Sequence, residues 1–159
     1  MASSNIALNY AIWMHVPRGA PTMAMAEYVA EARAEDEGTR HMFAIRSGTS
    51  DLHGDRGRRT RPITPRHRRT CAFCDEQRVE DVHHVVASCT AHAAARRVLV
   101  ACLPAALSDL ANPDVVDALM GAPSLRERVP DDVARNAATV AFKNFLVRAF
   151  RSRADAQQQ

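Results

Sequence analysis

Aromatic side chains are scarce in this sequence, since Phe, Trp and Tyr together make up 5% of its 159 residues. Strand-like runs are also scarce and alanine is abundant, so we expect helices packed through small side chains rather than a sheet. Apolar stretches are interrupted well before the roughly 20 residues that a membrane-spanning helix needs, and no membrane segment is expected. No charged-then-apolar signal segment opens the chain, so its four cysteines are expected to be reduced in an intracellular compartment, the nucleus or the cytoplasm.

Lysine is almost missing, because twenty of the twenty-one basic residues are arginine. Residues 55–70 contain seven arginines, one acidic residue, two prolines and no aromatic residue. Their net charge of +6 exceeds the +3 of the whole chain, so the positive potential is concentrated in one segment. This pattern predicts an extended basic arm that is either a solvated linker or a phosphate-binding segment acting through Arg56, Arg58, Arg59, Arg61, Arg66, Arg68 and Arg69.

The cysteines and histidines that follow have the spacing Cys-x2-Cys-x9-His-x4-Cys, formed by Cys71, Cys74, His84 and Cys89. Thiolate and imidazole are the donors that Zn²⁺ prefers, and four of them close a tetrahedral structural site. His83 competes for the third position, although the shorter return to Cys89 favours His84. The alternative interpretation is that the three cysteines are merely buried thiols. Cys102 lies in an apolar run and is predicted to be a small core residue.

The sequence predicts one mostly α-helical domain organised around a single Cys3His zinc knuckle. Helices are expected from Thr22 to a stop at Gly38, over residues 40–46, from near Glu80 with loosening before Cys89, and over 91–103, 112–121 and 130–153. The last helix carries a predicted apolar stripe formed by Val133, Ala137, Val140, Ala141, Phe145, Leu146, Ala149 and Phe150. The segments are an irregular leader (1–21), N-terminal helices (22–54), the basic arm (55–70), the zinc knuckle (71–92), a C-terminal helical bundle (93–153) and a disordered tail (154–159).

In this order the motifs resemble the zinc-binding domain that follows the polymerase in reverse transcriptases of non-LTR retrotransposons. Arg46-Ser47-Gly48 is similar to that family's Arg-x-Gly helix end, Glu80 lies four residues before His84, and Arg96 or Arg97 begins the next helix. The resemblance covers about residues 39–153 and also favours His84 over His83. It implies an accessory module that binds template RNA or target DNA.

The 159 residues have no room for a polymerase palm, and they contain no paired-aspartate motif of the polymerase type, so we expect no catalysis of DNA synthesis. Two other functions remain open. An HNH-type nuclease also places a histidine pair after Cys-x2-Cys, but its second Cys-x2-Cys and its downstream histidine are missing here. Alternatively, zinc staples a scaffold that docks with protein partners in a larger assembly. Phe73 is expected to pack on the adjoining helix rather than to stack on a base.

Overall fold

The computed structural model describes residues 36–157, and the side chains of residues 36–155. Six α-helices follow one another in this range: α1 (Glu37–Ser47), α2 (His53–Arg59), α3 (Ala93–Cys102), α4 (Pro113–Leu119), α5 (Ser124–Arg128) and α6 (Asp132–Gln157). One antiparallel bridge, Thr70 with Val79, is the only strand-like pairing within residues 36–157. The predicted mostly helical fold class is therefore confirmed. The leader (1–21) and the helix start at Thr22 lie outside the described residues.

Helix α1 begins where Asp36 accepts a hydrogen bond from the Thr39 backbone N–H at 3.2 Å, and it ends at Gly48, which has φ 68°. The predicted helix over residues 40–46 is thus confirmed, whereas the predicted stop at Gly38 is wrong. Gly38 lies inside the first turn, and a Cβ built there would lie 2.5 Å from Lys143 Cβ. This glycine allows α1 to approach α6 closely rather than ending a helix.

Helix α6 is the centre of the core, because it packs against both α1 and α3. Its buried apolar residues are Ala138, Phe142, Phe145, Leu146 and Ala149. The predicted stripe is correct in its C-terminal half and wrong for Val133, Ala137 and Val140, which are exposed. This alanine-rich helix has apolar residues on two faces, and only packing against α1 and α3 decides which face is buried.

The remaining helices follow the predicted order with local differences. Asn112 caps α4 by accepting a hydrogen bond from the Asp114 N–H at 2.9 Å. The predicted loop after Pro123 contains α5, and α6 continues through residues 154–157, which were predicted to be disordered. Cys102 is exposed rather than part of the core. None of the described helices combines the length and apolar character needed to cross a bilayer.

The basic segment is not extended throughout, because residues 55–59 belong to α2 and residues 66–68 form a 3-10 turn. Helix α2 is held by its Gly54 N–H, which donates to the Glu80 carbonyl at 2.9 Å. It is also held by Arg59, which donates to the carbonyls of Gly48 and Ser50 at 2.8 and 2.9 Å. The prediction of an extended arm is therefore wrong for residues 55–59, because long-range hydrogen bonds fold the start of this segment against the knuckle.

Candidate metal centre

The side chains of Cys71, Cys74, His84 and Cys89 converge, with one potential ligand atom from each lying within 4.8 Å of the others. The Sγ atoms of Cys71 and Cys89 are 3.9 Å apart, and Cys74 Sγ lies 3.3 Å from His84 Nε2. A zinc–sulfur bond of about 2.3 Å gives a tetrahedron with edges of about 3.8 Å. These separations match the edges of a tetrahedral shell, so the four residues form a cluster that could hold a metal ion.

The first two donors lie on a tight turn that begins next to the β-bridge between Thr70 and Val79. The Cys71 N–H donates to the Arg78 carbonyl at 2.8 Å, which closes the loop that carries Cys74. The backbone N–H of Phe73 points to Cys71 Sγ at 3.5 Å. A sulfur that accepts a backbone hydrogen bond is stabilised in its thiolate form, which is the form that binds metal.

The other two donors are brought together by a π-helical turn over His84–Ser88. In this turn the Cys89 N–H donates to the His84 carbonyl, five residues earlier, at 2.8 Å. An α-helix would place residues five apart on different faces, whereas the wider π turn brings them onto one side. The prediction that the helix loosens before Cys89 is confirmed, and the loosening is what aligns His84 with Cys89.

His84, and not His83, contributes to the cluster. The His84 ring is buried, with Nε2 facing Cys74 Sγ and Nδ1 at 3.0 Å from the hydroxyl of Ser88. A hydrogen bond from Nδ1–H fixes the tautomer that leaves Nε2 available to a metal. The His83 ring instead lies 2.9 Å from Asp117 Oδ1 on the surface. The roles of Ser88 and Asp117 were not predicted from the sequence. The offset of four residues between His84 and Ser88 is a local signal for their contact, whereas no local signal indicates the contact between His83 and Asp117.

Burial governs protonation at the cluster. It raises the pKa of the Cys71 thiol to about 12, and it also raises the pKa of Cys89. Burial lowers the pKa of His84, which keeps the imidazole neutral near pH 7. A cation bound here must displace the thiol protons, so we expect metal binding to release protons and to weaken as the pH falls.

Next to the cluster lies a fully buried ion pair between Glu80 and Arg153 of α6. Glu80 Oε1 is 3.7 Å from Cys71 Sγ, and Glu80 Oε2 accepts the His53 backbone N–H at 2.8 Å. The Arg153 guanidinium lies over the ring of Phe73, 4.5 Å from its centroid. Phe73 thus contacts a side chain of α6, and the Glu80–Arg153 pair links the knuckle to the C-terminal part of that helix.

The seven arginines predicted to contact phosphate differ in their partners within the protein. Arg59 and Arg69 already donate hydrogen bonds to backbone carbonyls of the protein. Those of Arg59 go to Gly48 and Ser50, and those of Arg69 go to Thr64 and Gly54 at 2.7 and 3.1 Å. Arg66 is 72% exposed and lies 3.2 Å from Asp81. Arg61 is exposed and reaches only the neighbouring Thr60 carbonyl, at 3.3 Å. Arg56, Arg58 and Arg68 are exposed and make no side-chain hydrogen bond within the described range.

Among known proteins, no family model, curated protein or solved structure matches the chain.

Proposed function

We propose that this chain is a noncatalytic zinc-binding module in which Cys71, Cys74, His84 and Cys89 hold one Zn²⁺. The observation that supports this is the convergence of three sulfurs and one imidazole nitrogen within 4.8 Å. Three soft sulfur donors and one nitrogen favour Zn²⁺ over Mg²⁺ or Ca²⁺, which prefer oxygen. Four protein ligands leave no open position for substrate, so the ion has a structural role.

Metal analysis of the purified protein tests this assignment. We expect about one zinc per chain, retained in His83→Ala and lost in His84→Ala. His83→Ala is the matched control, because it removes the neighbouring imidazole, whose partner is Asp117. Zinc retained by His84→Ala, or absent from the unaltered protein, would refute the assignment.

We further propose that the module binds RNA or DNA through its basic segment. Arg56, Arg58, Arg61 and Arg68 support this, since they are exposed and form no ion pair with the described residues. Exposed guanidinium groups that form no ion pair can bind phosphates and release the counterions of the nucleic acid.

Replacing Arg56, Arg58 and Arg68 by glutamine tests this part. The slope of log affinity against log salt should flatten by about 2 to 3, since each phosphate contact contributes about 0.7 to 0.9. The matched control replaces three arginines that are exposed elsewhere, Arg40, Arg97 and Arg148. An unchanged slope in the first variant, or equal slopes in both, would show that the basic segment does not bind phosphate.

The resemblance to the zinc-binding domain of retrotransposon reverse transcriptases is part of this proposal. It is supported by Gly48 ending α1, by the four clustered donors and by Arg96, which donates to the Cys89 carbonyl at 3.1 Å. Arg46 supports it too, because this buried side chain donates to the Met120 carbonyl at 2.8 Å and so links the helix end to the bundle.

A second candidate function is a zinc-stapled subunit that docks with protein partners. It is favoured by large apolar side chains left on the surface of α3 and α6, namely Val98 at 48%, Val133 at 77% and Val140 at 55% exposure. Pull-down from cells with and without nuclease treatment separates the two functions. Partners that survive nuclease digestion would favour docking, and partners lost with the nucleic acid would favour the first proposal.

A further inference from the structure

A cleft of about 380 Å³ lies between α2, the 3-10 turn at Arg66–Arg68 and the segment at residues 79–83. Its volume falls within the range of about 300–1,000 Å³ that is usual for small-molecule sites. It is separate from the four metal-binding donors, none of which lines it. The cleft is therefore a second feature of the molecule that has room for a ligand.

The charged groups that line the cleft favour an anion. Arg58, Arg66 and Arg69 line it, as does the buried Arg46, while Asp55 and Asp81 are its only acidic residues. Both carboxylates already have partners within the protein. Asp55 accepts a hydrogen bond from the Ser50 hydroxyl, and Asp81 accepts from the His84 N–H at 3.0 Å and from Arg66 at 3.2 Å.

The arginines differ in how firmly they are held. Arg69 is fixed by its hydrogen bonds to the Thr64 and Gly54 carbonyls. Arg58 is exposed, and Arg66, at 72% exposure, is joined to the protein by one surface ion pair with Asp81. Surface pairs of this kind contribute little to stability, so Arg66 can turn from Asp81 to a phosphate at a small cost in free energy.

The cleft also has an apolar wall, to which Leu52, Val79 and Val82 contribute. A free inorganic anion has no apolar surface to place against this wall, whereas a nucleotide carries a base and a sugar next to its phosphate. The cleft is too small for a duplex, and single-stranded nucleic acids are the ones whose bases can be splayed into protein pockets.

We propose that this cleft receives one nucleotide of a single strand, with its phosphate between Arg58 and Arg66 and its base or sugar against the apolar wall. The proposal rests on the nucleic-acid binding proposed above and adds the entry point and the single-stranded form of the ligand. It divides the basic segment into arginines that line the cleft and arginines, such as Arg61 and Arg68, that do not.

Fluorescence anisotropy with a labelled eight-nucleotide RNA strand tests this division. The cleft variants are Arg58→Glu and Arg66→Glu, and the controls of equal charge from the same segment are Arg61→Glu and Arg68→Glu. All four arginines are exposed, and zinc content and melting temperature verify that each variant folds. Each cleft variant should lose on the order of tenfold in affinity, because a charge-assisted hydrogen bond is removed, and the controls should lose clearly less.

Two further measurements use the unaltered protein. A nucleoside monophosphate should displace the strand at lower concentration than inorganic phosphate does, and the single strand should bind more tightly than its duplex. Equal losses in all four variants, no advantage of the nucleotide over phosphate, or tighter binding of the duplex would each overturn the cleft while leaving nucleic-acid binding in place. If the unaltered protein binds no strand even at low salt, nucleic-acid binding and the cleft fail together.

Discussion

Replacing Arg153 by methionine should destabilise the protein more than any other single change to a charged residue of α6. Arg153 is 3% exposed and contacts both carboxylate oxygens of Glu80, which is 0% exposed. It also donates to the Asp51 carbonyl at 3.0 Å. Methionine fills most of the same space without a charge, so the change leaves Glu80 as a buried anion with too few partners.

The magnitude follows from the burial of the pair. Removing one partner of a buried ion pair costs about 3–5 kcal/mol, because the remaining charge is desolvated and uncompensated. This is a large part of the roughly 5–15 kcal/mol that stabilises a typical domain. At about 2–4 °C per kcal/mol for a chain of this size, the melting temperature should fall by roughly 10 °C.

Thermal unfolding followed by circular dichroism measures this fall, and a double-mutant cycle identifies its cause. Glu80→Gln combined with Arg153→Met removes both charges, and the double variant should recover most of the lost stability. Arg151→Met is the matched control on the same helix. Its guanidinium is 69% exposed and pairs with Glu37 on the surface, so its loss should change the melting temperature little.

Two results would refute this reasoning. If Arg153→Met and Arg151→Met melt at the same temperature, the Arg153 pair is not buried as described. If the double variant is as unstable as the sum of the single variants, the two charges do not interact. Either result would contradict the Arg153–Glu80 contact between the knuckle and α6.

Three further predictions concern other parts of the molecule. Chelation under reducing conditions should lower the melting temperature of the protein and of Cys102→Ala alike, because Cys102 is exposed and lies outside the donor cluster. The melting temperature of Cys89→Ser should no longer respond to the chelator, and calorimetry checks both results. Arg46→Met should lower the free energy of unfolding by about 3 kcal/mol, as measured in urea, because the carbonyl of Met120 loses a buried charged donor. Replacing the exposed Arg40 of the same helix by methionine should lower it by under about 0.5 kcal/mol, and equal losses in the two variants would contradict the prediction. Burial would raise the pKa of Asp36, but hydrogen bonds from Thr39 and Lys143 outweigh it and lower the pKa from 3.8 to about 2. The stability that results from this shift is present above pH 3.8 and is lost as the pH falls toward 2. Asp36→Asn keeps the helix cap and should be less stable than the unaltered protein by about 1 kcal/mol, after allowance for the 36% exposure of Asp36. This difference in stability should vanish in acid, and a difference independent of pH would contradict the prediction.

Local chemistry made several features predictable from the sequence. The four clustered donors lie within nineteen residues, so their spacing alone indicated a common site. Asn112-Pro113 marked the start of α4, and Gly48 marked the end of α1, because these residues satisfy or terminate the backbone hydrogen bonds of the adjacent turn. The predicted zinc ligand His84 also followed from short-range spacing.

Features that depend on contacts between distant segments were decided only by the tertiary structure. His83 is drawn away by Asp117, thirty-four residues later, and Glu80 meets Arg153 across seventy-three residues. The burial of Phe142 rather than Val140 depends on where α1 and α3 pack against α6. Arg59 and Arg69 become structural because carbonyl groups of other segments lie within their reach. Sequence spacing specifies bonds that close within a turn or a short loop, whereas the choice of helix face and of ion-pair partner depends on how separate segments pack.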